Sequence, residues 1–272
     1  MICLSIREKG LNNVQEALTK AHFAEIRLDH TDLTREETVN VFRSKKDMIA
    51  TCRLSQQDVD ICRKRLSWAI MASRTKKSVG KRYLDIEYDA PAEYRNDIIS
   101  SARKRGFKII LSYHNHKNTD SYERLCEIYE SCRDLGADII KLITTAQTIH
   151  ECTRVLRLYK DYKGVPLVAF CMGETASFTR IISLHLGAPF GYVSLNSESE
   201  SAAGQYTIAE AESFMSKKSY PNKVSGKSLL ETVVAPASKS HTQRAILAAA
   251  WAKGKTVLYG YTPCADSEAA LG

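Results

Sequence analysis

The 272-residue sequence lacks the long hydrophobic runs of membrane and secreted proteins. No stretch approaches the run of about 18 apolar residues that a membrane-spanning helix needs. The first ten residues, MICLSIREKG, contain no basic segment followed by an apolar one, so they do not predict a signal peptide. With 13 glycines and 6 prolines, the composition is also unlike that of a disordered or fibrous chain. We therefore expect a globular, cytoplasmic protein with no membrane partner.

The eight cysteines lack the spacing of a metal site or of a disulfide framework. None forms a Cys-x-x-Cys pair, which is common among zinc ligands and redox-active dithiols. Without a signal peptide we expect reduced thiols and no structural metal. The cysteines are Cys3, Cys52, Cys62, Cys126, Cys132, Cys152, Cys171 and Cys264.

The charge distribution argues against a nucleic-acid partner, although the formal net charge is +8. From Ser216 onward, eight Lys and Arg stand against three Asp and Glu, which leaves 31 against 28 before that point. The basic excess therefore lies mostly in the C-terminal segment, without an aromatic-studded basic patch or a recognition helix. Retention on heparin after removal of the residues beyond Met215 would indicate a nucleic-acid-binding module instead.

Eight short apolar runs alternate with helical stretches over the first 215 residues. The runs are continuous, which is typical of parallel strands buried on both faces. Eight such units predict an α/β fold, the (β/α)8 TIM barrel, over a doubly wound sheet, because no G-x-G-x-x-G follows the first strand. The predicted strands are Ile2–Ile6, Ala24–Leu28, Met48–Cys52, Tyr83–Ile86, Lys108–Ser112, Asp138–Ile143, Leu167–Cys171 and Gly191–Leu195.

The sequence changes character after the barrel. Thr207 has capping-box spacing to Glu210 and predicts the start of the last barrel helix. Residues 216–224 are polar and basic, as in a linker. Residues 225–272 contain strand-like runs and an Ala-rich helix, and predict a short C-terminal extension from a second, incomplete domain. The predicted domains are thus 1–215, with a linker at 216–224, and 225–272.

Polar side chains occur at the carboxyl ends of the predicted strands, where a TIM barrel carries its active site. Glu25 and Arg27 share one face of the second strand and could equally form a salt bridge with each other. Arg53 follows the third strand. Asp85 and Glu87 share a face at the end of the fourth strand.

Lys141 lies within the apolar run DIIKLI of the sixth strand. A buried lysine is either paired with an acid or loses its proton and becomes a neutral amine, which can condense with a ketone. The alternative is a structural ion pair or a lysine that reaches solvent. His114 ends the fifth strand as a proton shuttle or as a hydrogen-bonded structural histidine, and His116 competes with it. Arg180 follows the seventh strand, and the converging arginines suggest an anionic, hydroxylated substrate.

In this order, the residues resemble type I 3-dehydroquinate dehydratase, a Schiff-base enzyme of the shikimate pathway of aromatic amino acid biosynthesis, over about residues 1–215. As in the family, 27 residues lead from His114 to Lys141. One departure is Gln57, near the place where many members carry a glutamate. The matching segments are EIRLD from Glu25, TCR ending at Arg53, SYH ending at His114, ADIIK ending at Lys141, CMGETASFTR ending at Arg180 and SAAGQ from Ser201 to Gln205.

The resemblance implies a carbon–oxygen lyase that converts 3-dehydroquinate to 3-dehydroshikimate and water through an imine on Lys141. His114 would remove the C2 proton and then protonate the leaving C1 hydroxyl. A homodimer and the absence of any metal or organic cofactor are also implied. The implied substrate contacts are Arg180 for the carboxylate, Glu25, Arg27 and Arg53 for ring hydroxyls, Ser201 and Gln205 on a closing loop, and Phe170, Met172 and Tyr192 as an apolar wall.

Other functions fit parts of the pattern. Another class I Schiff-base barrel, such as a transaldolase or a deoxyribose-phosphate aldolase, would often carry a Gly-rich phosphate loop after strands seven and eight, and the sequence has none there. A barrel that only binds metabolites, or a dead remnant of a truncated bifunctional gene, would not need both Lys141 and His114.

Residues 225–272 resemble the start of 5-enolpyruvylshikimate-3-phosphate synthase, which acts later in the same pathway. The motif runs from Pro236 to Ser240 and continues with Arg244 at the start of the Ala-rich helix. In the family, the residues matching Lys239, Ser240 and Arg244 bind phosphate groups; a basic capped helix start is the alternative. The second enzyme needs two domains, so we expect an inactive piece of a longer bifunctional fusion.

We predict that limited proteolysis cuts first between about Lys217 and Lys227 and leaves a fully active barrel. About 48 residues bury too little surface to offset their conformational entropy, so the extension contributes little stability. Mass spectrometry of the fragments and the melting temperature of the cleaved protein check this. An extension that resists protease as long as the barrel, or a markedly less stable cleaved barrel, contradicts it.

Overall fold

The computed structural model of the chain describes residues 1–72, 80–199 and 204–216, and also residues 242, 245, 246, 248 and 249. The chain divides into two compact units, Met1–Lys217 and Lys218–Gly272. The five described residues of the second unit are helical, and residues 245, 246, 248 and 249 follow Arg244, the predicted start of the Ala-rich helix. The described residues do not include Ser201, Lys239, Ser240, Arg244 or Cys264.

The first unit alternates strands with helices. Its strands are β1 (Ile2–Ile6), β2 (Phe23–Arg27), β3 (Asp47–Thr51), β4 (Arg82–Glu87), β5 (Lys108–Asn115), β6 (Ile139–Thr145), β7 (Leu167–Met172) and β8 (Gly191–Val193). Its α-helices are α1 (Leu11–Thr19), α2 (Arg35–Val41), α3 (Val59–Met71), α4 (Ala92–Arg103), α5 (Tyr122–Asp134), α6 (Ile149–Asp161), α7 (Phe178–His185) and α8 (Ile208–Ser216). Short 3-10 helices at Glu174–Ala176 and Ser197–Ser199 follow β7 and β8.

The strands form one parallel sheet in the order β7-β6-β5-β4-β3-β2-β1-β8. This order brings the first strand beside the last, and α7 packs against both β7 and β8. The predicted (β/α)8 TIM barrel is therefore confirmed. Among the ranges given above, no helix combines the length and the apolar character that a membrane crossing requires.

Strand predictions are confirmed with small shifts at the ends. The bounds of β1 agree with the prediction. β5 runs to Asn115, three residues beyond the predicted end, so that His114 belongs to the strand itself. β8 stops at Val193, two residues early. At Thr207 the predicted capping box forms: Thr207 N–H donates to the Glu210 carboxylate at 2.8 Å, and Glu210 N–H donates to Thr207 Oγ1 at 3.3 Å.

Side chains alternate between two buried cores, one inside the barrel and one under the helices. On β2, Ala24 and Ile26 belong to the outer core and Phe23 belongs to the inner one. An inner apolar layer fills the barrel near the amino ends of the strands, with Cys3, Phe23, Ile49, Ile110, Ile139, Val168 and Phe190 as members. The inward positions two residues further along each strand lie above this layer and face the carboxyl ends.

Candidate active site

A network of buried polar side chains lies directly above the inner apolar layer. Its members are Ser5, Glu25, Thr51, Arg53, Asp85, Ser112 and Lys141, each no more than 7% exposed. They come from six neighbouring strands, β1 to β6, or from the residues just after them. Because buried polar groups are stable only when hydrogen-bonded, each of these seven positions depends on its neighbours. We call these seven residues the polar network.

Lys141 is the centre of the polar network. Its Nζ lies 2.9 Å from Asp85 Oδ2, 3.5 Å from Glu25 Oε1 and 4.1 Å from the centre of the Tyr192 ring. The side chain is buried and reaches the cavity described below. Of the alternatives that the sequence leaves open, the structure therefore shows a lysine paired with two carboxylates.

Asp85 anchors both cations of the network. It binds Arg53 through two parallel hydrogen bonds of 2.9 and 2.8 Å, and its Oδ1 accepts a third from Ser112 at 2.6 Å. Burial by itself raises the pKa of Asp85, but the charges of Arg53 and Lys141 outweigh burial and hold this pKa well below its usual range. Asp85 is thus ionised at neutral pH.

Glu25 is held differently from Asp85. Its carboxylate accepts hydrogen bonds from Ser5 and Thr51, each at 2.9 Å, and lies near the Lys141 ammonium. The polar network therefore contains two carboxylates and two cations, and its formal charge is balanced. Such a balance is what allows four ionisable side chains to be buried together.

His114 contributes a neutral imidazole to the same cavity. Burial lowers its pKa well below the ordinary value, and the charges of Arg53 and Lys141 lower it further. The half-buried His114 ring stacks on the ring of His116, with 6.0 Å between ring centres. At neutral pH His114 is therefore a base able to accept a proton.

The cavity at the carboxyl ends of the strands has a volume of about 460 Å³. Five cationic side chains line it against three carboxylates, which favours an anionic ligand. The cations are Arg7, Arg27, Arg53, Lys141 and Arg180, and the carboxylates are Glu25, Glu87 and Asp89.

Arg27 faces the cavity but pairs with Asp29, not with Glu25. Its guanidinium donates two hydrogen bonds to the Asp29 carboxylate, at 3.1 and 2.6 Å. His30 follows, with Nε2 at 3.5 Å from Asp29 and at 3.2 Å from Arg7. Arg7, Arg27 and His30 form one side of the cavity.

Arg180 and the apolar wall form another side. Arg180 is buried on α7, and its guanidinium carbon lies 4.3 Å from the centre of the Phe170 ring. This distance is within the range of a cation–π contact, which attracts the guanidinium to the face of the ring. Met172 and Tyr192 continue this wall, so the three residues predicted as apolar contacts all border the cavity.

Gly204, which follows β8 in the chain, lies against the loop after β7. Gly204 has a φ of +74°, and a Cβ there would lie 2.9 Å from the carbonyl oxygen of Gly173, so only glycine fits. The adjacent Gln205 is buried, while Ser201 of the same predicted loop lies outside the described residues. Gln57, the departure from the family pattern, is half-buried and contacts the carbonyl of Asp29 at 3.5 Å.

The sequence alone assigns no role to two acids of the site. Strand alternation shows only that Asp85 and Glu87 share a face, yet Asp85 holds Lys141, and Glu87 accepts a hydrogen bond from Leu54 N–H at 3.0 Å. This alternate spacing at the end of β4 is the signal that could have found them. Within the described ranges, no group of three or more His, Cys, Asp or Glu residues could hold a metal ion.

We predict that Asp85→Asn destabilises the protein by about 3–5 kcal/mol at neutral pH, because Arg53 and Lys141 lose their buried counter-charge. The pKa of Asp85 is lowered on folding, so its contribution is complete above about pH 4 and fades as the pH falls below that value. Urea unfolding of both proteins across this range measures the difference. Asp97→Asn, at an exposed ion pair, is the control and should cost less than about 1 kcal/mol. A difference that is small, or equal at pH 7 and pH 3, contradicts the role of Asp85.

Comparison with known proteins identifies the family of the chain. Residues 2–219 match the family model described as type I 3-dehydroquinase. The 3-dehydroquinate dehydratase of Desulfotalea psychrophila is 32% identical over 217 residues, which are 77% of this chain and 94% of that protein. That of Dehalococcoides mccartyi is 34% identical over 223 residues, 81% of this chain and 97% of that protein. The crystal structure of the Clostridium difficile type I enzyme superposes with a TM-score of 0.67 at 18% identity, over 78% of this chain and 89% of that one. The chain therefore belongs to the type I 3-dehydroquinase family.

Proposed function

We propose that this protein is a 3-dehydroquinate dehydratase that works through an imine on Lys141. The observation that carries the proposal is a buried amine, paired with two carboxylates, in the wall of a cationic cavity that it shares with a neutral imidazole. Family membership and the two named relatives supply the substrate and the reaction.

Imine formation requires the Lys141 ammonium to lose a proton. The amine nitrogen then adds to the C3 ketone of 3-dehydroquinate. The ketone oxygen leaves as water after taking up two protons, one from the nitrogen itself and one equivalent to the proton that the ammonium released. The protonated imine carries the same positive charge as the ammonium, so the charge of the polar network is balanced before and after the step. Its nitrogen withdraws electrons from the C2–H bond.

His114 then acts in both directions. The neutral imidazole removes the C2 proton and gives an enamine, and the resulting imidazolium protonates the C1 hydroxyl, which leaves as water. One water molecule hydrolyses the remaining imine and releases 3-dehydroshikimate and the Lys141 ammonium. The net reaction is the loss of one water from 3-dehydroquinate. This sequence requires no metal or organic cofactor.

The remaining side chains bind the substrate. Arg180, stacked on Phe170, is proposed to hold the carboxylate, since a guanidinium matches it in a planar, bidentate manner. Glu25, Arg27 and Arg53 are proposed to face the ring hydroxyls, and Met172 and Tyr192 the apolar side of the ring. Ser201 and Gln205 are proposed to close over the substrate and exclude water.

The C-terminal extension and the quaternary state complete the proposal. We infer that residues 225–272 derive from the start of a 5-enolpyruvylshikimate-3-phosphate synthase, on the strength of the motif from Pro236 to Arg244. Lys239, Ser240 and Arg244 are proposed to be inactive phosphate-binding positions. A homodimer and a cytoplasmic location, with no nucleic-acid or membrane partner, follow from the resemblance and the composition alone.

We predict that His114→Ala lowers the turnover of 3-dehydroquinate by roughly 100-fold or more, the scale expected for the loss of a general acid–base. The formation of 3-dehydroshikimate, followed by ultraviolet absorbance, measures it. His116→Ala should lose much less, and His150→Ala, at an exposed position on α6, serves as the matched control and should lose nothing. An inactive wild-type protein contradicts the proposed function. A larger loss in a folded His116→Ala variant reassigns the proton shuttle.

A further inference from the structure

The hydroxyl group of Tyr192 is buried without a hydrogen-bond partner among the described residues. The ring is 6% exposed and belongs to the wall of the active-site cavity. A buried hydroxyl without a partner destabilises the fold, and native proteins keep few of them. A phenylalanine would form the apolar wall equally well. The Tyr192 hydroxyl is therefore expected to have a role in a state of the enzyme other than the resting one.

Tyr192 lies beside the reactive amine and the two carboxylates that hold it. The centre of its ring is 4.1 Å from Lys141 Nζ. The Glu25 and Asp85 carboxylates lie 3.5 and 2.9 Å from the same nitrogen. Burial raises the pKa of Tyr192, and the charges of Glu25 and Asp85 raise it further, so the hydroxyl keeps its proton. The hydroxyl is therefore a hydrogen-bond donor without an acceptor among the described residues in this state.

The proposed reaction changes the formal charge of the polar network at one step, the deprotonation of Lys141. When Lys141 gives up a proton to become a nucleophile, Arg53 is the one cation of the polar network that remains with its two carboxylates. Asp85 keeps both hydrogen bonds from Arg53 and a third from Ser112. The charge of Asp85 therefore remains compensated.

Glu25 is the carboxylate whose ion pair is removed in this step, and only the more distant charges of Arg27 and Arg53 still act on it. The hydrogen bonds that it keeps come from the neutral hydroxyls of Ser5 and Thr51, and its side chain is buried. A buried carboxylate that loses its cation is unfavourable, and the loss opposes deprotonation of Lys141. A further donor to Glu25 would relieve this opposition.

We propose that Tyr192 is a positioning residue for imine formation, whose hydroxyl donates a hydrogen bond to the Glu25 carboxylate when the neutral Lys141 amine turns toward the substrate carbonyl. This inference rests on the proposed imine function and adds a residue to it. A hydrogen bond to an ionised acceptor is among the stronger ones in proteins. The Tyr192 hydroxyl thus stabilises the reactive neutral amine over the resting ammonium.

β7 contributes apolar side chains to this part of the barrel, and the charged and titratable side chains around Lys141 come from the other six strands or from the residues just after them. They are Cys3 on β1, Glu25 on β2, Arg53 after β3, Asp85 on β4, His114 on β5 and Tyr192 on β8. Replacing Tyr192 by Phe changes no formal charge in this set at neutral pH and keeps the ring against Lys141. Any change in the pH dependence of imine formation is therefore due to the loss of the hydroxyl.

The test is single-turnover trapping of the imine with borohydride and 3-dehydroquinate across a range of pH. For Tyr192→Phe, the midpoint of the trapping profile should shift to higher pH by about one unit, because a hydrogen bond to a charged group is lost only in the neutral-amine state. The melting temperature should not fall, since the hydroxyl has no partner among the described residues at rest.

Tyr94→Phe is the matched control, because Tyr94 also has a buried hydroxyl without a partner in the described part of the chain but lies on α4, outside the cavity. Its trapping profile should equal that of the wild type. In a Glu25→Gln background, Tyr192→Phe should add no further shift. An unshifted profile for Tyr192→Phe, an equal shift in the Glu25→Gln background, or a lowered melting temperature overturns the inference. Failure of the wild type to form any adduct contradicts the proposed function itself.

Discussion

The contact between the Lys141 ammonium and the Asp85 carboxylate, 2.9 Å apart, is the interaction on which the site depends. A lysine inside a parallel strand is stable only with a counter-charge, and a carboxylate inside a barrel is stable only with donors of its own. Asp85 meets both conditions because Arg53 and Ser112 hold it from neighbouring strands. The position of the amine is thus set by three other strands as much as by its own.

This pairing reconciles two interpretations of Lys141 that the sequence leaves as alternatives. A structural ion pair and a catalytic amine would exclude each other only if catalysis required Lys141 to lose its positive charge permanently. In an imine mechanism the nitrogen is positive in the resting ammonium and again in the protonated imine. The polar network can therefore stabilise the positive nitrogen both in the ammonium and in the protonated imine. The nitrogen is neutral only in the single stage between these two states.

The barrel provides the geometry for this arrangement. Inward side chains form layers two residues apart along each strand. The apolar layer, which includes Phe23 and Ile139, fills the amino-terminal part of the barrel. The next layer contains Glu25 and Lys141, which are dry enough for strong electrostatic interactions yet border the cavity. The order of these layers therefore places the ionisable side chains at the carboxyl ends of the strands.

Much of this could be predicted from the sequence because strand periodicity specifies faces. The apolar runs predict all eight strands, and the polar residues within or just after them single out Glu25, Lys141 and His114. What the periodicity does not specify is the register between strands, which decides that Arg53 reaches Asp85 and Ser112. Small hydroxyl residues such as Ser112 also look like ordinary strand positions in a sequence.

The partner of Arg27 shows where spacing along one strand misleads. Arg27 and Asp29 are two residues apart, and the structure pairs them bidentately. The sequence leaves a salt bridge between Glu25 and Arg27 as one of two equal alternatives, because both side chains share a strand face. The reason for the difference is physical: Glu25 lies one layer deeper, where Lys141 and two hydroxyl groups already surround it.

Borohydride reduction in the presence of 3-dehydroquinate, followed by peptide mass mapping, tests the central claim most directly. The reduced ligand is expected on the peptide that contains Lys141 and on no other lysine. Folded His114→Ala is expected to form the same adduct, because His114 acts after the imine. An adduct on a different lysine, or no adduct on the folded wild-type protein, would show that Lys141 is not the imine-forming residue.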